Sequence, residues 1–131
     1  MVTFGGVVVC DTRRAVRVLE TSHPPTWYLP RADWLPGSLR DAGGTSVCEW
    51  KGVATYLDVL AGGVVAERAA WTYPSPTYPE LQDTVAVYPH AMDACTVDGE
   101  PVRPQEGGFY GGWVTSDVVG PFKGGPGSWG W

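Results

Sequence analysis

The sequence has no isoleucine, only two lysines in 131 residues, and no apolar run near the roughly 18 residues a membrane span requires. Each shortage narrows the field. Nine basic residues against 14 acidic ones leave a net charge of −5. That balance argues against nucleic-acid binding, which rests on cations that neutralise phosphates. Cysteine is sparse, at Cys10, Cys48 and Cys95, and the odd count and wide spacing supply no disulfide framework. There is no Cys-x-x-Cys pair, and only His23 and His90 could add to a metal site, so no metal and no cofactor are expected. The first residues lack a basic segment followed by an apolar one and a small-residue cleavage site, which points to a cytoplasmic protein. A P-loop, a G-x-S-x-G elbow and a legible Ser-His-Asp order are also missing.

What the chain has in quantity is valine, glycine, proline and large aromatics: 18 Gly, 12 Pro, 7 Trp and 6 Tyr. This mixture describes short strands joined by tight turns. A hydrophobic content of 44% with 18% charged residues suits a packed core rather than a disordered chain. The length fits one domain over residues 1–131 that buries about two-thirds of its unfolded surface. Gly5-Gly6 between Val2–Phe4 and Val7–Val9 reads as a hairpin turn, as does Gly62-Gly63 between Val53–Leu60 and Val64–Tyr73. Asp98-Gly99 marks a third hairpin, and Ala42-Gly43-Gly44 reads as a loop. Pro30, Pro74 and Pro89 close strands, and Arg31–Gly37 and Glu80–Asp83 suit single helical turns. The expected fold is mainly β: a small open barrel or two-sheet wrap with one or two short helices.

Candidate chemistry starts from the two lysines. Both sit in an aromatic-Lys-Gly triplet, Trp50-Lys51-Gly52 and Phe122-Lys123-Gly124. A following glycine lets a backbone approach or adopt a positive φ, and lysine is a compact charge suited to one anionic oxygen. Cys48 lies three residues before Lys51, where a cation would favour the thiolate, provided the chain bends at Lys51-Gly52. Glu20 beside His23 offers a base. Tyr28, Trp50, Trp71, Tyr73 and Trp113 are candidates for an aromatic pocket wall. Each has a plainer reading: lysines beside surface turns, a cysteine as a small hydrophobe, tryptophans as core packing. The tail, residues 107–131, holds nine of the glycines with six aromatics, and reads as an apolar surface covered by the domain itself or by a second copy in a homodimer.

Several of these segments together resemble a known family. They are Trp27-Tyr28-Leu29-Pro30 with Asp33, Cys48-Glu49-Trp50-Lys51-Gly52-Val53-Ala54, Ala69-Ala70-Trp71-Thr72-Tyr73-Pro74-Ser75-Pro76, Val85-Ala86-Val87-Tyr88 and Val97-Asp98-Gly99-Glu100. The chain resembles domain of unknown function family 427, also catalogued as nucleotidyltransferase-like, from Val2 over nearly its whole length. Glu49 departs from the family, which often has Pro between the Cys and the aromatic. The resemblance implies a β-tent-type fold, similar in architecture to methionine sulfoxide reductase B and the ligand-binding domain of cereblon. Zinc knuckles of such relatives have no counterpart here. The nucleotidyltransferase label implies phosphates and a carboxylate-bound Mg²⁺, and no Asp-x-Asp pair is present to hold one.

The functional expectation is a domain that binds a small molecule of unspecified identity, with enzymatic turnover left open. Lys51 would contact an anion or donate a proton, with Glu20 as base and Cys48 as nucleophile. Tyr28, Trp50, Trp71, Tyr73, Trp113 and Lys123 would hold the ligand. Nucleotidyl transfer, and protein interaction through the tail, are the alternatives.

Overall fold

The computed structural model describes residues 1–19, 24–48, 51–105 and 111–116, with the backbone alone at 47 and 48. The strands, in chain order, are β1 (Val2–Phe4), β2 (Val7–Cys10), β3 (Val16–Val18), β4 (Thr26–Pro30), β5 (Leu39–Cys48) and β6 (Gly52–Ala61). They continue with β7 (Val64–Thr72), β8 (Thr84–Val87), β9 (Ala94–Val97), β10 (Glu100–Pro101), β11 (Arg103–Pro104) and β12 (Trp113–Val114). Among the described residues helix is confined to three short 3₁₀ turns, Arg31–Asp33, Pro79–Leu81 and Pro89–Ala91. The third goes beyond the one or two short helices expected; Pro89 occupies its first position, where a missing N–H costs nothing.

Among the described residues the strands form antiparallel sheets and no closed barrel. A six-stranded sheet has the order β3-β4-β8-β7-β6-β5, and a four-stranded sheet the order β10-β9-β1-β2. β11 and β12 make a separate two-stranded ribbon, so a strand occurs inside the glycine-rich tail, where the sequence shows no alternation. The main core lies between the two larger sheets. Val2, Phe4, Val9, Cys10 and Cys95 of one meet Leu29, Leu57, Val59, Ala70, Val85 and Val87 of the other.

The turns follow the glycine pattern. Gly5-Gly6, Gly62-Gly63 and Asp98-Gly99 all carry positive φ at both residues, the geometry of a two-residue hairpin matched to strand twist. Gly5 and Gly62 also press together. A Cβ on Gly62 would collide with the Gly5 carbonyl, and one on Gly5 with the Ala61 carbonyl. The tips of the β1–β2 and β6–β7 hairpins therefore meet backbone to backbone.

Residues 42–44 are not a loop. β5 runs through them, and its pairing with β6 shifts register between Asp41 and Thr45. Gly43 and Gly44, with φ of 76° and 81°, form a bulge that keeps the strand continuous. At Gly44 a Cβ would also run into the Arg68 guanidinium.

Candidate functional site

The six-stranded sheet is apolar on both faces. Its alternate residues turn away from the main core, and Tyr28, Ala54, Trp71 and Ala86 build a second cluster there with Tyr73, just past β7, and Leu81 of the second 3₁₀ turn. Period-two alternation dictates the division: Leu29, Ala70 and Val85 face the core, while Tyr28, Trp71 and Ala86 face away. Strand pairing sets Tyr56 opposite Trp71, Trp71 opposite Ala86, and Val16 opposite Tyr28. The small Ala86 between the large rings leaves room for them to meet. Trp71 sits edge-on to Tyr28 with centroids 6.4 Å apart, Tyr73 is 6.2 Å from Tyr28, and Tyr88 is 4.6 Å from Trp71. Such ring pairs contribute about 0.5–1.5 kcal/mol each beyond burial.

Lys51 reaches into this cluster from the turn between β5 and β6. Cys48 pairs with Gly52 across the hairpin, so the chain reverses between them. The lysine is only 7% exposed, and its Nζ stands 5.6 Å from the centre of the Tyr28 ring, a cation–π contact. Gly52 has φ of 110°, and a Cβ there would come within 3.1 Å of the Ser75 carbonyl. The glycine thus supplies both an unusual backbone angle and a close approach. The approaching segment is tied down by Thr77 N–H donating to the Lys51 carbonyl at 3.0 Å. Farther along, Thr84 Oγ1 donates to Leu81 O at 2.7 Å and Thr72 Oγ1 to Thr84 O at 2.6 Å. Residues 74–82 are held across one end of the cluster. At another point Gly111 lies so close to Trp71 that a Cβ would enter the indole ring.

Tyr28, Lys51, Trp71 and Tyr73 are thus brought together. Trp113 is not with them. It lies in the main core, 2% exposed, 6.5 Å from Trp27, and donates from Nε1 to Val87 O at 3.4 Å. Glu20, Trp50 and Lys123 lie outside the described residues, as do His23 and tail residues 106–110 and 117–131; Cys48 is described by its backbone alone. Sequence reasoning passed over Tyr56 and Tyr88, the half-buried rings beside Trp71. Their signal is register: each falls on the Trp71 face once the pairing of β6, β7 and β8 is known.

The electrostatics separate this face from the rest of the molecule. Burial pushes the Tyr88 phenol above its usual range, the neighbouring Tyr56 adds to this, and Arg68 opposes it. The Arg68 guanidinium lies 4.5 Å over the Tyr56 ring. In the main core, burial raises the thiols of Cys10 and Cys95 to about 12, so both stay protonated hydrophobes. Among the described residues no group of three or more His, Cys, Asp or Glu side chains is placed to hold a metal ion. None of the described helices is long and apolar enough to cross a membrane.

Residues 1–98, which carry every strand of the larger sheets except β10, match a family described as a domain of unknown function, DUF427. No curated protein matches the chain.

Proposed function

The chain belongs to the DUF427 family, and from that premise we propose that it binds a small planar molecule with an anionic or polar group on the aromatic face of the six-stranded sheet. Lys51 supplies the contact to the charged group, and Tyr28, Trp71 and Tyr73 supply the apolar wall. Glu20, Cys48, Trp50 and Lys123 belong to the proposed set on sequence grounds. The observation that supports this reading is the buried Lys51, 7% exposed and 5.6 Å from the Tyr28 ring. Lysine is among the residues least often buried, because its ammonium loses hydration. The second cluster lies on the face opposite the main core. Half-buried Tyr56 and Tyr88 give the face a rim that a ligand can reach.

A thermal-shift panel of aromatic carboxylates, aromatic phosphates and uncharged rings tests this. A ligand at a hundredfold its Kd adds about 2.7 kcal/mol of stability. Anionic rings are expected to raise the melting temperature of the wild type and to lose that effect in Lys51→Met. Absence of any shift at millimolar ligand, or an equal shift in Lys51→Met, overturns the reading. Nucleoside triphosphates with Mg²⁺ belong on the same plate. A shift that requires both would favour nucleotidyl transfer, which needs carboxylates and a metal converging on the phosphates.

A further inference from the structure

A second site lies on the opposite face of the six-stranded sheet, at the edge of the main core. A cavity of about 160 Å³ opens there between the β2–β3 connection and β4 on one side and the β9–β10 hairpin on the other. Its apolar wall includes Ala15, Trp27, Leu29 and Trp113; its polar wall includes Arg13, Asp98 and Met1, whose ammonium donates to the Thr96 carbonyl at 2.9 Å. We propose that this cavity binds a small zwitterion, an α-amino acid with an apolar side chain, through Arg13 and Asp98.

The apolar wall is fixed in place. Trp113 is held by its bond to Val87 O and by the Trp27 ring, and the Arg17 guanidinium lies 5.9 Å from the Trp27 centroid. A cavity of about 150 Å³ accommodates a benzene-sized molecule. The space therefore suits a leucine or phenylalanine side chain, with the charged end of the molecule at the open, polar side.

Two of the charges there are unspent. Of the three arginines on this stretch, Arg14 is bound to Asp33 at 2.8 Å and Arg17 stacks on Trp27. Arg13 has no ion-pair or hydrogen-bond partner among the described residues, and neither does Asp98. The two line one cavity without bonding each other. Asp98 is presented by the backbone, since it holds φ of 50° in the turn that joins Val97 to Glu100. A guanidinium is matched to a carboxylate, and a carboxylate to an ammonium. A cation and an anion held apart over an indole wall are the complement of an amino acid's two ends and its side chain.

Titration calorimetry on the full chain tests the assignment with L-leucine, L-phenylalanine, N-acetyl-L-leucine and L-leucinamide. The free amino acids are expected to bind, and removing either charge by acetylation or amidation to weaken binding about tenfold or more. Asp98→Asn is expected to abolish the preference for leucine over N-acetyl-leucine, and Arg13→Gln the preference for leucine over leucinamide. Both positions are exposed, so the variants should fold as the wild type does. Lys51→Met, on the far face, should leave leucine binding unchanged, which keeps this site separable from the aromatic face. The proposal fails if neither free amino acid binds at about 10 mM. It also fails if N-acetyl-leucine or leucinamide binds as tightly as leucine, or if Lys51→Met removes the binding.

Discussion

The Asp58 carboxylate holds the backbone of Arg68. Its Oδ1 accepts the Arg68 N–H at 2.9 Å, while Oδ2 accepts two bonds from the Arg40 guanidinium at 2.7 and 3.0 Å. Arg68 has φ of 52°, rare for a side chain other than glycine, and the β6–β7 register shifts beside it. The bulge sends the Arg68 guanidinium over Tyr56 and lets both Ala69 and Ala70 enter the main core. One carboxylate on β6 thus joins three strands and shapes the edge of the aromatic face.

This arrangement makes stability depend on acid. The Arg68 N–H first, and the Arg40 bond second, hold the Asp58 carboxyl below its ordinary value of 3.8. Thr12 and Arg14 do the same for Asp33. A lowered folded-state value means that the contribution is complete above 3.8 and lost as pH falls through the lower value. Denaturation midpoints should therefore be flat above that point and drop below it. Asp58→Asn should lower the midpoint at neutral pH and shrink the acid-dependent drop, leaving the share due to Asp33. An unchanged pH profile in Asp58→Asn would remove Asp58 from this account.

On the aromatic face, the charge of Lys51 rather than its bulk should govern ligand binding. A hydrogen bond to a charged group is worth about 1.5–3 kcal/mol, so Lys51→Met should weaken an anionic ligand roughly tenfold or more. Lys51→Arg keeps the charge on a larger, planar head and should retain part of the affinity. Kd values for one aromatic anion across the three proteins check this. Equal loss in both variants would point to shape instead of charge.

Gly111 should tolerate no side chain. Gly111→Ala drives a methyl group into the Trp71 ring, and Gly112→Ala drives one into Pro24 and Gln105. Overpacking of this kind costs about 1–3 kcal/mol, readable by denaturant unfolding followed through tryptophan fluorescence. Wild-type stability in both variants would mean that the 111–116 segment is free to move off the sheet.

The two core thiols should be inert in the native protein. With values near 12, neither Cys10 nor Cys95 forms thiolate at neutral pH. They cannot pair with each other either. Both flank Val2, one on each neighbouring strand, and so stand about two strand spacings, 9–10 Å, apart. A disulfide needs Cα atoms within about 7 Å. Peptide mapping after treatment with a thiol reagent should find both unmodified until the chain is unfolded. Rapid native labelling of either would contradict their burial.

The hairpins were legible because two successive positive φ angles leave glycine or aspartate few competitors, as at Gly5-Gly6, Gly62-Gly63 and Asp98-Gly99. Gly43-Gly44 carries the same signature and misleads. What turns that pair into a bulge is the pairing across it, with Asp41 opposite Leu57 and Thr45 opposite Thr55, and no local pattern reports that. Trp71 and Tyr73 were assignable to one face by alternation alone. Their meeting with Tyr28 and Lys51 was not, because it depends on β4, β7 and the β5–β6 turn converging from distant parts of the chain. Trp113 shows the limit of composition: it counted among the candidates for one aromatic wall with Trp71, and the ribbon with β11 carries it to the other layer.

The meeting of Gly5 with Gly62 closes a route by which such turns are usually improved. In a two-residue hairpin the first position favours asparagine or aspartate, which narrows the unfolded ensemble while still reaching a left-handed angle. Asp98-Gly99 follows that preference, and its glycine faces open space. At the other two tips the first position is the one pressed against another backbone, so even asparagine cannot enter. The chain keeps its least constrained residue type at both positions where the sheets touch, and a consensus-based redesign of these turns would loosen the joint that it set out to stiffen.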